Sequence, residues 1–237
     1  MAEIKGINRL VVTDGQALAE AAAKWTADRI SAAVQARGRC YLALAGGETP
    51  RGCYQRLAQP PYQRELPWSG VYVFWSDERQ VPLDDPASNF ALAKAALLDH
   101  VPVRSDQIFP LTGDPTPALR KVPAYDRGIP WFDIIHLGLG EDGHTASLFP
   151  GSPALQEQQA LVYAVHDAPK PPPDRLTFTL PVINAARAIL FMVQGAAKGE
   201  ALARVLQRDP ALPASLVEPV GGELQFIVDE AAFGIAG

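Results

Sequence analysis

The sequence has little cysteine, no apolar run long enough to cross a bilayer and no excess of positive charge, and each shortage removes a class of answers. Cys40 and Cys53 are the only cysteines in 237 residues, and neither belongs to a CxxC or Cys/His ligand spacing. That argues against a disulfide framework or a structural zinc site. Cys40 opens an apolar run and reads as a buried thiol. Nowhere does an apolar stretch reach the roughly 18 residues of a membrane span, and the opening MAEIKGINRLVV holds Glu3 and has no long apolar core of a signal peptide. The expectation is a soluble, cytoplasmic protein with no membrane partner. A net charge of −5 and a pI near 5.4 speak against a broad nucleic-acid surface, yet they allow a small anion held by a few local cations. There is no G-x-S-x-G string, so a serine nucleophile on a sharp elbow is not expected. No internal repeat or linker interrupts the chain.

Against these absences stands a chain that is 48% hydrophobic, enough for a full core in one domain over residues 1–237. Short apolar runs at 7–13, 40–44, 71–75, 132–139, 161–165, 188–193 and 224–228 read as strands, and an alternating stretch at 174–181 as another. Helical segments separate most of them. Asp14 stands where an N-cap belongs and Gly38 where a helix stops, with Leu18, Ala22, Trp25, Ile30 and Val34 forming an apolar face between them. Residues 59–69 read as a proline-containing loop, and Asp229 as the cap of a terminal turn. Residues 101–130, with prolines at 102, 110, 115, 117, 123 and 130, read as peripheral, with one short helix near 118–125. The pattern predicts an α/β fold: a single-domain, doubly wound, mainly parallel sheet flanked by helices.

In such a sheet, ligands bind in the crevice beyond the carboxyl ends of the strands. Three strand ends carry chemistry. WFDIIHLGLGEDGHTASLFPGS, residues 131–152, joins a buried strand to a loop with Gly138, Gly140 and Gly143, whose Asp142 and His144 stand two positions apart, as an oriented base would require. Ala45-Gly46-Gly47-Glu48-Thr49-Pro50-Arg51 ends a second strand, with Pro50 in the first turn of a helix. Its backbone N–H groups would form an anion cradle. Ser76-Asp77-Glu78-Arg79 ends a third, where Arg79 would clamp an oxyanion or phosphate and Asp77 and Glu78 would orient hydroxyls or hold the cation. Each string taken alone also fits an ordinary turn. Further along, Arg175 opens a strand, and Lys198 lies in the first turn of a helix, where a cation is unfavourable unless an anion shares the site. His136 reads as part of the central strand, while His100 and His166 belong to no motif.

Four segments in order, AGGETPRGCYQRLA, SDERQVPLDDPASN, HLGLGEDGHTASLFPGS and RLTFTLPVINAARAILFMVQGAAKGEAL, resemble the 6-phosphogluconolactonase family over about residues 40–202. The resemblance implies the sugar-phosphate isomerase-like α/β fold and hydrolysis of 6-phospho-D-glucono-1,5-lactone to 6-phosphogluconate, the second step of the oxidative pentose phosphate pathway. It also implies no metal, no cofactor and no obligatory protein partner. By position, His144 resembles the general base, Asp142 its neighbouring orienting or substrate-binding carboxylate and Arg79 the active-site arginine. Gly46, Gly47, Thr49, Arg175 and Lys198 fall where related proteins gather the 6-phosphate. Glu48 departs from the serine common in that turn, and beside a phosphate it must turn away or pair with a cation such as Arg51. The alternatives are an amino-sugar phosphate deaminase/isomerase and a non-catalytic sugar-phosphate sensor. Against the deaminase, Phe149 occupies the place of an acidic ring-opening residue, and Arg79 that of an aromatic one.

Overall fold

Asp14 and Gly38 bound the longest helix by local chemistry. In the computed structural model, which describes residues 7–124 and 128–236, strand β1 (Asn8–Val12) leads into helix α1 (Gly15–Arg37). The Asp14 carboxylate accepts the Ala17 N–H at 2.8 Å, and Gly38, at φ 74°, returns its N–H to the Val34 carbonyl. Of the expected apolar face, Leu18, Ala22, Trp25 and Ile30 are buried and Val34 is half-buried.

The chain continues through β2 (Cys40–Leu44), α2 (Glu48–Leu57), α3 (Tyr62–Glu65), β3 (Val71–Trp75), β4 (Asp77–Arg79) and α4 (Asn89–Ala93), which runs into a π turn at Lys94–Leu98. Then come α5 (Thr116–Leu119), β5 (Ile134–Gly138), β6 (Val162–Val165), β7 (Arg175–Phe178) and α6 (Leu180–Asn184). After these follow β8 (Ala188–Val193), α7 (Gly199–Leu206), β9 (Glu223–Asp229) and α8 (Glu230–Ala236). Asp229 caps α8, accepting the Ala232 N–H at 2.9 Å.

Six strands form one parallel sheet in the order β1-β9-β8-β5-β2-β3. Every residue of β2 and β8 is buried, as strands covered on both faces require. The winding reverses between β2 and β5. From β2 the chain steps outward to β3, and from β5 it steps the other way to β8 and β9, so the loops after β2 and β5 diverge and leave a crevice. No helix among the described residues is long and apolar enough to cross a membrane.

Three features differ from the sequence reading. A second, antiparallel sheet of order β4-β7-β6 stands beside the first, so Asp77–Arg79 is a paired strand rather than a turn. Residues 59–69 hold α3 and a 3-10 turn at Trp68–Gly70, because the Trp68 ring is buried and its indole N–H donates to the Tyr62 and Gln63 carbonyls. The proline-rich stretch is not merely peripheral. Its Leu111, Leu119 and Val122 are buried in the core, and the Phe109 N–H donates to the Val73 carbonyl at the sheet edge. The helix there starts earlier and is shorter than the expected 118–125, with Asp114 accepting the Thr116 N–H. Residues 125–127 of that expectation lie outside the described residues.

Candidate active site

The loop after β5 folds back on itself to aim one imidazole. The Gly140 N–H donates to the His144 carbonyl at 2.8 Å and the Gly143 N–H to the Gly140 carbonyl at 3.0 Å. Gly143 turns the chain at φ 80°, and a Cβ on Gly140 would fall 2.0 Å from His144 Nδ1. Only glycine admits that approach. His144 Nδ1 meets Asp142 Oδ1 at 2.5 Å, and the ring lies tilted against Phe149 with centroids 4.6 Å apart. Burial pushes the His144 pKa below its ordinary value, against the hydrogen bond and charge of Asp142, which raise it, and Lys170 adds to the lowering. Burial opposes ionisation of Asp142, but the His144 hydrogen bond and charge outweigh it and its pKa is lowered. The pair is therefore a neutral imidazole with its Nδ1 proton engaged by a carboxylate, and Nε2 is the ring nitrogen left to act as base.

His144 lines a cleft of about 410 Å³ together with Gly46, Gly47, Glu48, Thr49, Asp77, Arg79, Arg175 and Lys198. Nine residues singled out in the sequence thus meet in one place. At its β2 side, Gly47 precedes α2 with φ 94° and offers no side-chain cap, so the first N–H groups of a ten-residue helix stay available to an anion. Glu48 does not oppose that role. Its side chain is 80% exposed and takes both hydrogen bonds of the Arg51 guanidinium at 2.8 Å. Lys198 precedes α7 and lies 3.5 Å from Glu141.

The small sheet supplies the other wall. In the β4–β7 pair Arg79 stands opposite Arg175. Arg79 donates to the Ala87 carbonyl, and Arg175 to the Pro172 and Lys170 carbonyls. Two guanidiniums held by backbone carbonyls on one wall keep their charge for a ligand. The Arg175 pKa is lowered by burial and by the Arg79 charge, with Asp77 opposing. Asp77 is buried, accepting from Ser147 Oγ at 2.7 Å.

One expected role changes and one is narrowed. Of the two places expected for Asp142, beside the base or on the substrate, it takes the first, standing behind His144 outside the cleft lining. Glu78 turns out of the cleft altogether. Fully buried, its carboxylate accepts the N–H groups of Arg79, Asn89 and Phe90 at 2.7 Å and the Ser88 hydroxyl at 3.2 Å. It anchors the start of α4 and does not meet sugar hydroxyls. The sequence reading also missed Asn89, Lys170 and Gln194, which line the cleft. Asn89 carried a signal, since it opens a helix just after the DER strand end. Lys170 sat unflagged in a proline-rich connector. Of the other histidines, His136 is buried with Nε2 2.9 Å from Thr26 Oγ1, His100 contacts the Ala95 carbonyl and His166 pairs with Asp174 on the surface. Among the described residues no group of three His, Cys, Asp or Glu side chains is placed to hold a metal ion.

A base held by a carboxylate, facing cations and a free helix N-terminus, suits water attack on a phosphorylated electrophile. The sequence profile of glucosamine-6-phosphate isomerases/6-phosphogluconolactonase matches residues 13–226. The 6-phosphogluconolactonase of Synechocystis is 38% identical over 236 residues, covering 94% of this chain and 95% of that protein. The 6-phosphogluconolactonase of Rattus norvegicus is 37% identical over 238 residues, covering 94% and 91%. The solved 6-phosphogluconolactonase of Trypanosoma brucei superposes with a TM-score of 0.81 at 27% identity, over 97% of this chain and 98% of that one. By its sequence and its fold, the chain belongs to the glucosamine-6-phosphate isomerase/6-phosphogluconolactonase family.

Proposed function

We propose that this protein hydrolyses 6-phospho-D-glucono-1,5-lactone to 6-phosphogluconate, with His144 as general base and without metal or cofactor. The observation that carries the reading is His144, bound to Asp142 through Nδ1, in the same cleft as the Arg79–Arg175 pair. The names of the Synechocystis and rat relatives support the substrate. The lactone is an activated ester, so a positioned water, a base near neutral pKa and donors for the tetrahedral oxyanion suffice. His144 Nε2 takes the proton from water as its oxygen attacks C1. Asp142 fixes the tautomer and steadies the imidazolium that forms. Arg79 neutralises the oxyanion, and collapse of the intermediate breaks the ring C1–O bond, with the imidazolium returning its proton to the leaving hydroxyl. The α2 N-terminus at Gly46–Thr49, with Arg175 and Lys198, holds the 6-phosphate.

Phe149 argues against the deaminase alternative. Its ring packs on His144 and is buried, and a phenyl group supplies no proton for opening an amino-sugar ring. The test follows the lactone, generated in situ from glucose 6-phosphate, against its spontaneous opening at the same pH, with ammonia release from glucosamine 6-phosphate in parallel. Acceleration proportional to enzyme, without ammonia, is expected, and His144→Ala should lower kcat by about 10²–10⁴ while 6-phosphogluconate still binds. Unchanged turnover in that variant would remove His144 from the chemistry, and binding without any turnover would favour a sensor.

A further inference from the structure

Asn89 is 1% exposed, lines the cleft and holds an acceptor with no donor. Its orientation follows from its amide nitrogen. Nδ2 donates to the Asp77 carbonyl at 2.9 Å and to Asp77 Oδ1 at 3.3 Å, two acceptors that would reject the oxygen of a flipped amide. Oδ1 therefore lies on the opposite side, against Gly46, where a Cβ would fall 1.9 Å from it. The backbone is held as well, since Glu78 takes the Asn89 N–H at 2.7 Å and Ser88 caps the helix by accepting the Ala91 N–H. Asn89 thus bridges the loop after β2 and strand β4, with its amide nitrogen on Asp77 and its unpaired oxygen turned to Gly46 at the start of the cleft loop.

A buried acceptor without a donor is costly, and native structures keep few of them without a use. Phosphate oxygens cannot satisfy it, because they are acceptors too. Nor can Asp77, both of whose carboxylate oxygens are acceptors, Oδ1 from Asn89 Nδ2 and Oδ2 from Ser147. What fits is a donor on the ligand other than its phosphate. On the lactonase reading, the donors a substrate carries are its ring hydroxyls.

We infer that Asn89 Oδ1 accepts a hydrogen bond from one ring hydroxyl of the substrate, making Asn89 a specificity-determining residue. The inference rests on the lactonase reading. The test is a double cycle: wild type and Asn89→Ala, each assayed with the parent lactone and with lactones oxidised in situ from 2-, 3- and 4-deoxyglucose 6-phosphate. Thermal unfolding of the variant checks that it folds. Loss of the Asp77 contact affects all four substrates alike, whereas a lost hydroxyl contact does not. In wild type, removing the recognised hydroxyl should lower kcat/KM about tenfold, the scale of one hydrogen bond whose burial leaves its partner unpaired. In Asn89→Ala that same deletion should cost little further. Losses that add for all three hydroxyls, or an Asn89→Ala enzyme indistinguishable from wild type, would overturn the assignment alone. Failure of wild type to accelerate even the parent lactone would overturn the lactonase reading and this one with it.

Discussion

In the proposed reaction, His144 and Asp142 divide one task between two side chains in contact. Burial against Phe149 lowers the His144 pKa, and the Asp142 contact, which raises it, does not fully compensate. The imidazole is therefore in its basic form at neutral pH. We expect kcat/KM, corrected for spontaneous hydrolysis, to be flat near neutrality and to fall tenfold per pH unit below a pKa that lies under 6.5. In Asp142→Asn the raising influence is gone, so the acid limb should move to lower pH as the rate itself drops. A limb that stays where it is would mean that Asp142 is not coupled to His144. Arg175 and Lys198 call for a different signature. Neither changes charge during ester hydrolysis, so Arg175→Ala and Lys198→Ala should raise KM for the phosphorylated lactone by about tenfold or more with a smaller change in kcat. At this scale the sequence was largely readable, because a GxGxDGH loop concentrates its chemistry within a few residues. Glu78 was not. Its neighbours Asp77 and Arg79 line the cleft, but strand alternation turns the intervening side chain to the opposite face.

At the scale of elements, α2 and α4 are locked together by a glycine. Gly46 carries no side chain because Asn89, at the start of α4, occupies the space a Cβ would need. Gly46→Ala must therefore push the Asn89 side chain off its Asp77 contacts or shift the Gly46–Thr49 loop. A stability loss of about 1–3 kcal/mol is expected from such overpacking, with a raised KM, and urea unfolding together with steady-state kinetics would measure both. A variant with unchanged stability and KM would show that the two elements are not rigidly coupled there. The glycine was visible in the sequence, and its purpose was not, since the atoms that exclude a side chain come from a residue 43 positions away (89 − 46). The same holds for β4. A three-residue strand has too short a pattern to announce itself, and its identity depends on pairing with β7.

For the whole molecule, the reversal of winding between β2 and β5 brings three strand ends to one crevice, and the core beneath it bears a titratable cost. His136, in the middle of β5, is fully buried, and burial pushes its pKa down to about 3. The unfolded chain, with a histidine near 6.5, binds the extra proton between these values. Stability should thus be unaffected by this group above pH 6.5 and should fall by up to about 1.4 kcal/mol per pH unit as the pH drops towards 3. His136→Gln removes the titration. Between pH 6.5 and 5 its deficit relative to wild type, read from urea unfolding, should shrink by about 2 kcal/mol, and a constant deficit would mean that His136 is protonated in the native state. The sequence by itself determined every strand but β4, the bounds of α1 and the loop that carries His144, since apolar periodicity, caps and glycine turns act over neighbouring residues. Only the tertiary structure decided that Arg79 faces Arg175, that Glu78 serves a helix and that Asn89 reaches the cleft. Those outcomes depend on which strands pair and which side chains compete for one buried space, and no local pattern encodes that.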